Sequence, residues 1–191
     1  MKHYKGITLS HETSVYATHQ PALIWAIENS NGNVLELGTG DCSTVVLHDI
    51  LQGSGKKLVS VDDNIEYMKK YTHLENEEHE FHLIPRTVHH WKEKIDEFSN
   101  TNWGVVFVDQ GETEDTFRPS RNYSVQKLVD VCDFVIAHDA DIFPEMRSDK
   151  YNWFVFFPKY LPAPDGHLRF GPPTYIFSKK HDLKNINIRE D

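Results

Sequence analysis

Cysteine is scarce in this chain. Two cysteines, Cys42 and Cys132, occur in 191 residues, too few for a disulfide-stapled scaffold. Cys42 falls on a turn just after one apolar run and Cys132 just before another. In a parallel sheet those positions lie at opposite ends, beyond bridging distance. A reducing, cytoplasmic setting is therefore expected. Nothing beside Cys42 in the sequence would activate it as a nucleophile. Long apolar runs are also lacking. None approaches the length that spans a bilayer, and the opening residues 1–6 lead into no hydrophobic segment of a secretory signal. No membrane partner is expected. Positive charge is in deficit: 20 Lys and Arg stand against 29 Asp and Glu, a net charge of -9. That argues against a general nucleic-acid surface, which needs clustered Lys and Arg. Repeats and low-complexity segments are absent. Residues 1–191 are read as a single domain, long enough to bury a two-sided core.

What the chain does have is centred on residues 33–51. Val34 to Leu37 is a short apolar run that reads as a buried strand and breaks at Gly38. A polar turn, Thr39-Gly40-Asp41-Cys42-Ser43, follows, and residues 44–51 resume an apolar pattern that suits a helix. Strand, glycine turn and helix make a nucleotide-cofactor site at the carboxyl edge of a parallel sheet. Glycine lets a ligand approach the backbone, and the helix N-terminus offers unpaired N–H groups. A dinucleotide fingerprint would carry a third glycine. Here Ser43 replaces it, and an acid, Glu36, stands two residues before the first glycine.

These residues resemble motif I of the class I S-adenosylmethionine (SAM) dependent methyltransferases, Glu-x-Gly-x-Gly. The resemblance implies that Glu36, Gly38, Thr39, Gly40 and Ser43 contact or shape the SAM site, with Glu36 orienting the loop and the cofactor's amino group. The second apolar run, residues 57–61, ends in Asp62-Asp63-Asn64. An acid there is placed to accept hydrogen bonds from a ribose. The resemblance gives that role to Asp62, with Asp63 as the runner-up. The other reading of this trio is a helix N-cap.

The remaining chain alternates in the same way. A helix is expected from Pro21 to residue 29, one at 65–73, one carrying Trp91, Ile95 and Phe98 as core, and one at 123–131 after a loop containing Arg118, Pro119 and Arg121. Residues 8–18 are read as solvated, with folding over the cofactor as the other reading. Further strands are expected at 79–84, 103–108, 133–137, 153–157 and 174–178. Together they predict a Rossmann-like α/β fold: a mainly parallel seven-stranded sheet with helices on both faces and a C-terminal antiparallel hairpin. The loop between the last two strands, with His167, Arg169 and Phe170, is expected to shape a substrate pocket.

Two neighbouring strands end in acids, Asp109 and His138-Asp139. Strand ends at one edge converge. This pattern resembles the small-molecule and sugar O-methyltransferase branches, some of which hold a divalent metal between the fourth and fifth strand ends. The resemblance implies Asp109, His138 and Asp139 as catalytic residues, Asp109 also beside the cofactor, and Asp109 and Asp139 as ligands if Mg²⁺ takes part. Ala140 stands where a third ligand is usual, and Asp141 comes one position later. Metal-free base catalysis by His138 or Asp109 is the other reading. The function implied is SAM-dependent methyl transfer to an oxygen of a small molecule or sugar. A non-catalytic SAM-fold binding protein and a nicotinamide oxidoreductase are the rivals.

Overall fold

The computed structural model describes residues 2–4, 6–10, 14–111, 114–139, 148–157, 161–162, 168–169 and 171–188. In chain order the elements are β1 (Lys2–Tyr4), β2 (Ile7–Leu9), α1 (Gln20–Glu28), β3 (Val34–Leu37), α2 (Thr44–Leu51), β4 (Leu58–Asp62), α3 (Ile65–Met68) and β5 (His79–Leu83). They continue with α4 (Val88–Phe98), β6 (Trp103–Val108), α5 (Glu114–Leu128), β7 (Cys132–His138), β8 (Asn152–Phe156), β9 (Leu161–Pro162), β10 (Leu168–Arg169) and β11 (Thr174–Ser178). Among the described residues no helix is long and apolar enough to cross a membrane.

Seven strands form one sheet in the order β5-β4-β3-β6-β7-β11-β8. β5, β4, β3, β6 and β7 are parallel neighbours, and β11 runs antiparallel between β7 and β8. This is the Rossmann-like architecture expected from the sequence, with one refinement. The terminal hairpin is folded inward, so the last strand is internal and β8 is the edge.

The central strands β3, β4 and β6 are buried along their whole length, as parallel strands covered on both faces must be. Their side chains alternate between two cores. Leu35, Leu37, Val106, Val108 and Val135 pack with Trp91, Ile95 and Phe98 of α4 and Val125 and Leu128 of α5. Val34, Leu58, Val105, Phe107 and Ile136 pack with Ala22, Leu23 and Leu47 of α1 and α2 on the other face. Trp91, Ile95 and Phe98 are thus core residues, as their spacing implies.

Two helices differ from the sequence reading. The segment expected at 65–73 divides into α3 and a 3₁₀ turn at Thr72–Leu74. The cap is Asn64, whose side chain accepts from the N–H groups of Glu66 and Tyr67. α5 begins well before residue 123 and runs through Pro119. Proline normally breaks a helix interior, but tertiary packing prevails here. Pro119 is on the exposed side, while Ser120, Arg121, Ser124, Val125 and Leu128 are buried.

Candidate active site

The chain moves outward from β3 to β4 and β5, then returns to place β6 on the other side of β3. That reversal opens a crevice at the carboxyl ends of the strands. The register sets what lines it. Leu37 pairs with Val61 on one side and Val108 on the other, and Val108 pairs with Ala137. The next residue along each strand therefore falls in one row: Asp62, Gly38, Asp109 and His138. Gly38 has φ +94°, and a Cβ added to it would come within 2.5 Å of the Asp109 carbonyl oxygen. Only glycine fits both the conformation and the contact.

Glu36 lies one pleat below this row and is completely buried. Thr44 Oγ1 donates to its carboxylate at 3.0 and 3.1 Å and accepts from the Gly40 N–H at 2.8 Å. The acid thus orders the glycine turn through a threonine. Ser60 Oγ donates to its other side at 2.6 Å. Beyond Ser60 lie His79 Nε2 at 2.9 Å and, from His79 Nδ1, His48 Nδ1 at 3.1 Å. Burial pushes the Glu36 carboxyl up to about 7, against the hydrogen bonds that favour its ionised form. Its oxygens are turned toward the turn and the sheet, and Glu36 is not among the residues that line the cavity.

Asp62 is also bound to the turn. It accepts from Thr39 N at 2.7 Å, Thr39 Oγ1 at 2.6 Å and Asn64 N at 2.7 Å. Burial raises its pKa despite these bonds. A carboxylate offers about four lone-pair positions, so room is left for another donor. Asp63 turns the other way. Its Oδ2 accepts from Trp91 Nε1 at 2.8 Å, and Oδ1 is 3.6 Å from Arg86 Nε.

On the far side of Gly38 four ionisable groups meet. Arg121 Nη2 contacts Asp109 Oδ1 at 2.7 Å. Arg121 Nε donates to the Gln110 carbonyl at 2.9 Å and Nη1 to the His138 carbonyl at 2.8 Å. His138 Nδ1 is 3.4 Å from Asp109 Oδ2 and 3.8 Å from Asp139 Oδ2. Burial opposes ionisation of Asp109, but Arg121 and then His138 outweigh it and hold the carboxyl down at about 2. Burial likewise works against a charged His138, and Asp109 prevails, so its pKa is raised. Asp139 has φ +53°, the left-handed region that asparagine and aspartate tolerate.

The surroundings of His138 bear on the reading of it as a metal-free general base. Thr18 Oγ1 donates to the Pro172 carbonyl at 3.1 Å, so its contact with His138 Nε2 at 3.3 Å is accepted from the ring. Nδ1 faces two carboxylates. The side chain is only 4 % exposed, against 27 % for Asp109 and 36 % for Asp139. Among the described residues, Nδ1 is buried and makes no hydrogen bond at these distances.

A cavity of about 500 Å³ opens here, lined by the motif turn (Gly40 to Ser43), Tyr67, His19, Asp109, His138 and Asp139, with Ser14 and Tyr16 from the N-terminal segment. Its volume is in the range of small-ligand sites. Asp41, Asp109 and Asp139 give the lining a negative character that suits a cationic sulfonium and repels a pyrophosphate. SAM therefore fits the residues present. Mg²⁺ fits them poorly. Asp109, His138 and Asp139 bring ligand atoms within 4.8 Å of one another, but one is an imidazole nitrogen and Asp109 already holds a guanidinium. Mg²⁺ wants near-ideal octahedral oxygen ligation. Ala140, Asp141, His167 and Phe170, and the side chain of Arg169, lie outside the described residues.

Sequence reasoning missed His19, Tyr67 and Arg121, and gave Thr18 no individual role. Of the two readings of residues 8–18, the structure favours the packed one over the solvated one: Ser14 and Tyr16 line the cavity, Thr18 and the adjoining His19 are buried, and Ser10 N donates to Gln20 Oε1 at 2.9 Å. His19 Nε2 and Gln20 Nε2 both reach the Cys42 carbonyl, at 3.3 and 2.8 Å. Burial, and then His138, lower the His19 pKa to about 3. The available signal was a polar trio, Thr18-His19-Gln20, leading into an apolar helix. Cys42 is half-buried, and burial raises its thiol pKa, which is not how a nucleophile is activated.

No protein-family model matches the chain, and no curated protein does. Solved structures do. The chain is similar to the O-methyltransferase from Bacillus cereus in complex with S-adenosylhomocysteine (SAH), at 12% identity and a TM-score of 0.59, covering 89% of this chain and 84% of that one. It is similar to human methyltransferase-like protein 13 in complex with SAH, at 12% identity and a TM-score of 0.60, covering 90% and 85%. It is similar to the O-methyltransferase TomG from Streptomyces achromogenes in complex with SAM, at 14% identity and a TM-score of 0.56, covering 87% and 81%. At these identities the likeness establishes the fold.

Proposed function

We propose that this chain, whose fold is that of the class I SAM-dependent methyltransferases, transfers a methyl group from SAM to an oxygen of a small molecule or sugar. The observation that carries the reading is the row Asp62, Gly38, Asp109 and His138 at the switch point, beside a turn ordered by Glu36 through Thr44. The fold neighbours crystallised with SAM or SAH support the cofactor. The acidic cavity favours it over a nicotinamide dinucleotide.

In this reading Gly38, Thr39, Gly40 and Ser43 form the cofactor turn, and Asp62 accepts from the ribose with its remaining lone pair. Bound SAM supplies an electrophilic methyl group on a sulfonium sulfur. Asp109 and Asp139 orient the acceptor hydroxyl in line with it, and alignment of the two reactants is the main contribution of the protein. The acceptor oxygen forms the new C–O bond, and the C–S electron pair stays on sulfur. The hydroxyl proton passes to Asp139, the most exposed carboxylate of the group. His138 lies between the two acids and takes no proton from the acceptor in this reading. The deficit of positive charge favours a small acceptor over nucleic acid. The free thiols Cys42 and Cys132 accord with a cytoplasmic setting.

Calorimetry with SAM, SAH and NAD tests the cofactor. SAM and SAH should bind, and Asp62→Ala should weaken them by about 1–3 kcal/mol, the range for a hydrogen bond to a charged group. Binding of NAD alone at about millimolar concentration would refute the reading.

A further inference from the structure

We propose that Arg121 is a positioning residue of the acceptor site and supplies, from within the chain, the positive charge that a divalent cation would otherwise bring to Asp109. The inference rests on the methyl-transfer reading for the role of the site. The geometry on which it stands is separate from the cofactor turn.

Arg121 is buried, and a buried guanidinium needs its donors paired. Its acceptors come from both strand ends. Nε is bound by the carbonyl that follows Asp109, Nη1 by the carbonyl of His138, and Nη2 by Asp109 Oδ1 itself. A planar fork with fixed directions suits this task, and a lysine could not reproduce it. The contact with the His138 carbonyl has a further effect. The chain turns into the left-handed region at the very next residue, Asp139, and that turn delivers the Asp139 carboxylate to the cavity. Arg121 therefore fixes both acids: one through its side chain, the other through the backbone from which it departs.

The same contacts argue against an added cation. One oxygen of Asp109 is committed to the guanidinium, and the other faces the His138 ring. Asp109 and Asp139 are the two acids of the group, and the Arg121 guanidinium supplies a positive charge in direct contact with one of them. A divalent ion at Asp109 would lie next to a permanently charged guanidinium in a partly desolvated crevice, where repulsion is little screened. The unusual course of α5 through Pro119 is what brings Arg121 to this point.

Manganese(II) is the probe, read by the loss of its free-ion electron paramagnetic resonance signal. Wild-type protein should leave the signal unchanged at about millimolar ion, and so should Arg121→Lys, which keeps the charge. Arg121→Gln should take up the ion at least about tenfold more tightly, because the repelling charge is gone. SAH calorimetry accompanies each Arg121 variant, and its affinity should stay within about twofold of wild type, since Arg121 does not line the cofactor turn. Stoichiometric Mn²⁺ binding by the wild type, lost in Asp109→Asn, overturns the proposal. So does an Arg121→Gln protein that binds SAH normally and still ignores Mn²⁺. If Arg121→Gln does not fold, the wild type and Arg121→Lys decide: an ion bound by either one overturns the idea, and exclusion by both supports it. Failure to bind SAH in the wild type would sink the cofactor reading and leave the Mn²⁺ result to stand by itself.

Discussion

Replacing Glu36 with glutamine should stabilise the protein at alkaline pH and leave it nearly unchanged at acid pH. Glu36 is fully buried on β3, and burial is the largest influence on it, raising its pKa from 4.5 to about 7. At 1.36 kcal/mol per pH unit, that rise corresponds to about 3 kcal/mol. The sign follows from proton binding. Between the two values the folded chain holds a proton that the unfolded chain has released, so stability falls as pH rises. The contribution is fully present below pH 4.5 and fully lost above pH 7. Glutamine never ionises, so the penalty disappears. Its hydrogen bonds can still be made. The amide oxygen accepts from Thr44, and the amide nitrogen donates to Ser60, whose hydroxyl proton then turns toward His79 Nε2. Urea unfolding of both proteins near pH 5 and near pH 8 is the assay. His19 and His79 complicate the wild-type profile, because burial holds them down at about 3 and about 4 and their stabilising effect is lost on acidification. The difference between the two proteins cancels most of that. Glu36→Gln should gain about 2–3 kcal/mol relative to wild type on going from the lower to the higher pH. Equal destabilisation at both values would refute the reasoning, since it would mean that the carboxylate's hydrogen bonds outweigh its desolvation.

Gly38→Ala should abolish SAH binding in calorimetry and lower unfolding stability by about 1–3 kcal/mol or more, from the positive φ and the contact with the Asp109 carbonyl. A variant with wild-type affinity would show that the turn is not the binding element. Thr18→Val should cost about 1–3 kcal/mol in urea unfolding, because the buried His138 Nε2 loses its acceptor. A cost under about 0.5 kcal/mol, the level of an inconsequential surface change, would contradict the assignment of that nitrogen as a donor.

The sheet was legible in the sequence because its inner strands, covered on both faces, are short apolar runs, while the edge strand β5 shows itself by alternation. Residues 34–37, 103–108 and 174–178 were read with the bounds they have, and 57–61, 79–84, 133–137 and 153–157 within a residue at each end. The glycine turn was legible for a related reason: Gly38 is dictated by a backbone contact, and such contacts admit one residue type. Helices were less legible where tertiary contacts overrode local preference. Pro119 reads as a break in any local account. It is accommodated because Ser120, Arg121, Ser124, Val125 and Leu128 find partners across α5.

The charged site divides along the same line. Asp109, His138 and Asp139 were legible as a group because register alone carries the ends of adjacent strands to one edge. Their chemical roles were not, because a role depends on what each atom faces. Asp109 is held low by a guanidinium that arrives from a helix whose start the sequence misplaced. His138 is closed off by Thr18, 120 residues away in the chain. An isolated histidine after a strand suggests a base with a free nitrogen. Here the ring is set between a threonine oxygen and two carboxylates. The number of acidic residues at the strand ends therefore does not decide between a metal site and a metal-free one. On the proposal made for Arg121, what decides it is whether a cation of the protein's own has reached them first, and the Arg121 guanidinium lies 2.7 Å from Asp109.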